Sequence, residues 1–331
     1  MNLPFPLGTE PMKDLPTSMR AAAIDRFGGP EVLTIHSLPV PVADPSEVLI
    51  AIDTAGVGIW DTEMRAGKWT SGRPRFPLVL GTDGAGTIAA VGSRIRRFDV
   101  GDAVYAYSFD NPKGGFYAEY VAVPAEAVGH IPKRLDLRQA GAIPTTGLTA
   151  LQGIDDALRL KKGESIIIHG AAGGVGTLAV QFAKLRGARV FATASGEDGI
   201  ALVRRLGADT AIDGKHEDIT AAAHRFAPQG VDAVLALTGR AVELCIDAVH
   251  QRGRVAYPNG IEPAPKKRRG IEIISYDAVV GARQFEHLSR AVEAARLDVP
   301  IATVFSLAEA RQAHERLEEG HVLGKIVLRV V

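Results

Sequence analysis

The sequence predicts an α/β protein in two parts: a β-rich domain, and a six-stranded parallel sheet wound on both faces by helices. Three observations predict it. Residues 165–186 place the isoleucines Ile166, Ile167 and Ile168 before a glycine cluster; apolar residues then recur at Val175, Leu178, Ala179, Phe182 and Leu185, the spacing of one helix face. After Pro144, strand-like and helix-like segments alternate. Before about Ala142 the apolar runs are short and punctuated by Gly, Pro and Asp at the intervals of an all-β region.

Taken in order, residues 1–18 carry Pro4, Pro6, Pro11 and Pro16 and read as a flexible extension without the positive start and apolar centre of a signal peptide, Met19 being an alternative start. Strands are expected at 20–24, 32–37, 47–57, 86–91, 103–107 and 118–123. The parallel sheet begins with the isoleucine strand and continues at 189–194, 211–212, 231–237, 253–257 and 271–276. Helices are expected at 199–206, 218–226 and 241–249 between those strands, and at 284–297 and 307–319 beyond them. A last strand at 324–330 has no room in a six-stranded sheet, so the C-terminus is expected to return to the first domain. The domains are therefore 19–143 completed by 298–331, and 144–297.

Lys plus Arg and Asp plus Glu are both 38 in 331 residues, so no net field argues for nucleic acid or a membrane. The basic run 266–269 lacks interleaved aromatic residues and reads as a solvated loop. Cys245 is the only cysteine, which excludes intrachain disulfides and multi-cysteine metal sites and suits the cytoplasm. No apolar run is long enough to span a membrane.

Ala171, Gly173 and Gly176 fill the frame A-x-G-x-x-G, with Gly174 and Val175 between them. Glycines between such a strand and helix let the backbone approach a pyrophosphate, and the free N–H groups of the helix's first turn face the anion. A tight turn without a ligand is the plainer alternative.

The chain resembles the medium-chain dehydrogenase/reductase superfamily, within it the zinc-free quinone oxidoreductase (zeta-crystallin-like) branch, from Met19 to Val330. The resemblance rests on Gly81-Thr82-Asp83-Gly84-Ala85-Gly86, Gly101-Asp102-Ala103-Val104, Gly115-Phe116-Tyr117-Ala118-Glu119-Tyr120, Gly147-Leu148-Thr149-Ala150, the glycine frame and Gly324-Lys325-Ile326-Val327-Leu328. It implies a GroES-like catalytic domain, a Rossmann-type nucleotide domain, a cleft between them and a homodimer joined through the edge strand 271–276. Zinc relatives carry their ligands where Gly58, Thr82 and Thr145 stand, and none of these supplies the thiolate, imidazole or carboxylate that zinc takes. No metal is expected; Asp83 reads as an anchor for its turn.

Small neutral residues, Ser195 and Gly196, stand where an acid would end the second strand in an NAD-specific unit, which favours NADP(H). Relatives commonly carry a phosphate-pairing lysine at the position of Gly199, leaving Arg204 or Lys215 to supply the charge. The resemblance also assigns Thr149, Leu237, Thr238, Tyr257, Pro258, Asn259 and Lys325 to the cofactor, Lys325 toward the pyrophosphate. For chemistry it points to Trp60 as a wall of the acceptor site, Tyr107 as a cleft hydroxyl and Thr149 beside the nicotinamide. Tyr105, Tyr117 and the 58–65 loop are further donor candidates; Asp61 and His169 read as structural residues. The implied activity is hydride transfer from NADPH to a quinone or an α,β-unsaturated carbonyl. An enoyl-thioester reductase and a non-enzymatic NADPH-binding protein of the crystallin kind are the alternatives.

Overall fold

Residues 15–68 and 75–331 are described by the computed structural model. Of the expected extension, 1–14 lie outside the described residues, and Ser18 already begins a strand, Ser18–Ile24. The parallel sheet has six strands: Ser165–His169, Arg189–Ala194, Thr210–Asp213, Val231–Ala236, Val249–Pro258 and Glu272–Tyr276. Numbered along the chain they lie side by side as 3-2-1-4-5-6. The isoleucine strand is central because both its faces are apolar. Ile166 and Ile168 enter one core cluster and Ile167 the other, all 0% exposed. The order in which strands are added reverses between the first and fourth strands, which run parallel, and the crevice there is where ligands meet open α/β sheets.

The other domain is built on a seven-stranded sheet. Ile301–Ser306, Lys325–Arg329, Glu47–Val57, Asp83–Val91, Ala103–Tyr107 and Val128–His130 neighbour one another, and Tyr120–Pro124 also pairs with Glu47–Val57. A smaller sheet joins Leu33–Pro39, Ser18–Ile24 and Leu78–Val79. The last strand runs antiparallel to Glu47–Val57, with Ile326 opposite Val57, so the C-terminus does lie in the first domain's sheet.

Three departures from the sequence reading have local causes. The 58–65 stretch is a helix, Ile59–Arg65, whose N-cap Gly58 is held by the Asp61 side chain rather than by one of its own. The helix expected over 241–249 spans only Val242–Ile246, because Val249 already joins the fifth strand. The strand Ile301–Ser306 went unread because its residues alternate between half-buried and exposed, a weak apolar signal.

Candidate active site

The glycine turn shapes the cleft floor. Gly173 caps the helix Gly174–Leu185 without a side-chain cap bond, so the first-turn N–H groups stay open to an anion. A β-carbon on Gly176 would stand 2.4 Å from the Gly170 carbonyl oxygen, so only glycine lets helix and turn close this tightly. On Gly173 it would meet nothing nearer than 3.7 Å, which leaves that side open for a pyrophosphate. These residues fit a dinucleotide. Ala171 is buried and serves as the packing surface for Gly176.

The cleft, about 1010 Å³, runs from this turn to the helix Ile59–Arg65. Gly173, Gly174, Val175, Gly176, Leu237, Thr238, Pro258, Asn259, Thr149 and Lys325 line it with Trp60 and Tyr107, so most of the expected site residues come together. Tyr257 does not; it packs on the apolar cluster of the sheet's other face, because alternate residues of a strand point to opposite sides. Thr149 lines the cleft but donates its hydroxyl to the Thr145 carbonyl at 2.8 Å.

Aromatic rings wall the far end. Trp60 meets Phe109 edge-on, ring centroids 5.8 Å apart, and a β-carbon on Gly260 would come 2.6 Å from the indole. Tyr276, unread in the sequence, also lines the cleft, its hydroxyl spent on the Thr149 carbonyl at 2.9 Å. The Tyr107 hydroxyl has no hydrogen-bond partner among the described residues; burial, then Asp83, push its phenol up, so it stays a neutral donor. Tyr105 and Tyr117 are corrections: each is 0% exposed and absent from the cleft wall. Tyr105 reaches Ser289 at 2.9 Å, and Tyr117 lies between Asp61 and His314 at 3.2 Å from each.

Asp61 anchors a buried polar chain. Arg65 can only donate, so His314 Nδ1 accepts from it at 3.0 Å, and His314 Nε2–H faces Tyr117, which donates to Asp61. Arg65 ends the chain on Glu318 at 2.5 Å. Burial holds His314 neutral, its pKa lowered to about 3. It also raises Asp61 from 3.8 to about 7, against the Gly58 N–H bond and the charge of Lys325. The folded protein therefore binds this proton more tightly than the unfolded chain does, and the Asp61 share of stability falls as pH rises from about 4 to 7, while the neutral His314 contributes the opposite slope between about 3 and 6.5. Asp61→Asn should remove that share, so stability at pH 8 relative to pH 5 should rise compared with wild type, read by denaturant unfolding at both; an unchanged pH dependence would remove Asp61 as a contributor.

Beyond the glycine turn the cleft continues into a smaller cavity of about 230 Å³ at the end of the second strand. Ser195, Lys215, Arg240 and His321 line it and no carboxylate does. Ser195 caps the helix Gly196–Arg205 without using its hydroxyl, and Asp198 turns to His321 at 3.0 Å. Gly199 is buried, and a β-carbon there would meet Ala194, Ala172 and Leu323, which themselves line the cavity. Arg204 is turned to the Ala211 carbonyl at 3.1 Å. Lys215 reaches the cavity, and Arg240 joins it from the loop after the fourth strand.

The alcohol dehydrogenase GroES-like domain family matches residues 44–133, and a zinc-binding dehydrogenase family matches 206–328. Quinone oxidoreductase of Mus musculus is 31% identical over 326 residues, 94% of this chain and 97% of that one. The solved quinone oxidoreductase of Coxiella burnetii is 31% identical with a TM-score of 0.85, covering 95% of this chain and 100% of its own. The chain belongs to the quinone oxidoreductase branch of the medium-chain dehydrogenase/reductase superfamily. Members of the superfamily differ in cofactor. A structure described as an NAD-dependent alcohol dehydrogenase is 33% identical, with a TM-score of 0.87 and 95% and 100% coverage. A mycobacterial protein solved with NADPH is 26% identical, with a TM-score of 0.84 and the same coverage.

Within this quinone oxidoreductase fold, Gly58, Thr82 and Thr145 do converge on the cleft. Asp83 anchors the helix Pro144–Gln152 instead, accepting from the Thr145 N–H at 2.9 Å. Among the described residues no cluster of His, Cys, Asp and Glu is placed to hold a metal. His169 is a packed residue, bonded to Thr193 and to the Arg240 carbonyl. The basic run is partly neutralised, Arg268 pairing with Glu243 at 2.5 Å. No described helix is long and apolar enough to cross a membrane.

Proposed function

We propose that this oxidoreductase passes hydride from NADPH to a quinone or α,β-unsaturated carbonyl without a metal. The observation that carries the reading is the aromatic end of the cleft, which adjoins the glycine turn and is walled by Trp60, Tyr107, Phe109 and Tyr276. Flat conjugated acceptors suit such walls, and conjugation spreads the charge that hydride addition leaves. Bound NADPH supplies the hydride. The first turn at Gly174, Val175 and Gly176 binds its pyrophosphate, Thr149 and Leu237 orient the ring, Trp60 keeps water from the acceptor, and Tyr107 offers a neutral O–H. The donor set at Gly58, Thr82 and Thr145 supports the zinc-free reading. Ser195, Lys215 and Arg240 support the choice of NADP(H).

Glu63, Glu262 and Asp277 at the acceptor end disfavour a phosphate-bearing thioester carrier. A panel of quinones, enals, enones and enoyl thioesters, followed by NADPH absorbance, tests the reading. Turnover is expected with quinones or enones. Oxidation by the thioesters alone, or by nothing, overturns it. The edge strand Glu272–Tyr276 pairs on one side only, with the fifth strand, and we assign a homodimer to its free side, which light scattering tests.

A further inference from the structure

Lys325 is 7% exposed and lines the cleft, and its ammonium has no hydrogen bond or ion pair among the described residues. A buried ammonium without a partner is costly to keep, so its surroundings call for an anion. Two backbone couplings aim it. Gly324 donates to the Ala172 carbonyl at 2.8 Å and bridges Gly173, which holds the strand's start against the glycine turn. Ile326 pairs with Val57, which sets Lys325 beside Gly58.

The stem passes Gly174, where a β-carbon would lie 3.5 Å from Lys325 Cδ. The ammonium ends further on: a β-carbon on Gly58 would stand 3.4 Å from Nζ. Gly58 caps the acceptor-side helix without a side chain of its own, and the same β-carbon would stand 3.6 Å from Asp61 Oδ2. The carboxyls of this floor, Asp61 and Asp83, are buried, and the charge of Lys325 pulls against the burial that raises Asp61.

We propose that Lys325 is a catalytic residue that holds the acceptor oxygen on which negative charge develops. The inference rests on the reduction of a conjugated carbonyl proposed above. Hydride brings two electrons to the acceptor, the carbonyl π pair moves onto oxygen, and the resulting enolate or phenolate accepts N–H from Lys325. Water supplies the proton that completes the reduced product, and Lys325 keeps its own.

Lys325→Met and Lys325→Arg separate this role from a pyrophosphate contact. With Lys325→Met we expect NADPH affinity, read by fluorescence, to change less than about threefold while kcat falls about 10- to 100-fold, partly restored by arginine. A second readout needs no turnover. In the presence of NADP⁺, 2-naphthol bound to the wild type should ionise at least about one pH unit lower than when bound to Lys325→Met, seen as phenolate absorbance. If NADPH affinity falls tenfold or more with kcat at saturation preserved, or naphthol ionises alike in both, the proposal is overturned. Wild type inert toward every quinone and enone removes the function reading alone, since the naphthol titration still decides Lys325. Should Lys325→Met not fold, naphthol and NADPH titrations of Lys325→Arg decide: arginine keeps the anion but shifts its ionisation, and an unchanged titration sinks the idea.

Discussion

Valine at position 176 is expected to abolish nucleotide binding and weaken the fold together. Its β-carbon would fall 2.4 Å from the Gly170 carbonyl oxygen and 2.6 Å from Ala171 Cα. Both neighbours are backbone of the turn itself and cannot rotate away as a side chain would. Overpacking of this kind costs about 1–3 kcal/mol, and moving the helix start off the turn should weaken NADPH by at least about 100-fold. Gly173→Ala is the matched control. Its β-carbon has no neighbour nearer than 3.7 Å, so the fold should melt as wild type does while the added methyl obstructs the pyrophosphate. Thermal melting and NADPH fluorescence on both variants separate the two effects. Wild-type affinity in Gly176→Val would show that the turn does not bind the dinucleotide.

Removing the cations of the small cavity should have the next largest effect. Lys215 and Arg240 are both exposed and line it with Ser195. Charge-assisted hydrogen bonds to a phosphate are worth about 1.5–3 kcal/mol each, so Lys215→Ala with Arg240→Ala should cost NADPH about 100-fold or more in affinity. NADH, without the 2′-phosphate, should change by less than about threefold, and the preference should shrink as salt rises because these groups are screened. Ser195→Asp should erase or invert the preference, since a carboxylate repels the phosphate yet accepts from a bare ribose hydroxyl. Calorimetry with both nucleotides reads all of this. Equal affinities in the wild type, unmoved by any of these changes, would end the NADP(H) assignment.

The sequence by itself determined what is encoded locally. Strand, glycine turn and helix lie within residues 165–186, so the cradle could be read from apolar period and glycine spacing alone. The poor ligand set at Gly58, Thr82 and Thr145 was likewise legible from residue chemistry. Which side chains face the cleft was settled by the elements that cover them. Tyr105 and Tyr107 share a strand and stand two residues apart, so period gives them the same face. The helix Ala282–Ala295 covers Tyr105 through Phe285 and Ser289, while Tyr107 lies past it in the cleft. Arg240 and Lys215 meet Ser195 only through the pairing of the parallel strands, and Tyr276 enters on the sheet's edge. Lys325 reaches Gly58 because its strand, far along the chain, runs antiparallel beside Glu47–Val57. Period and propensity report how a segment folds and which face it buries; they carry no term for a neighbour hundreds of residues away, and such neighbours built most of the acceptor end.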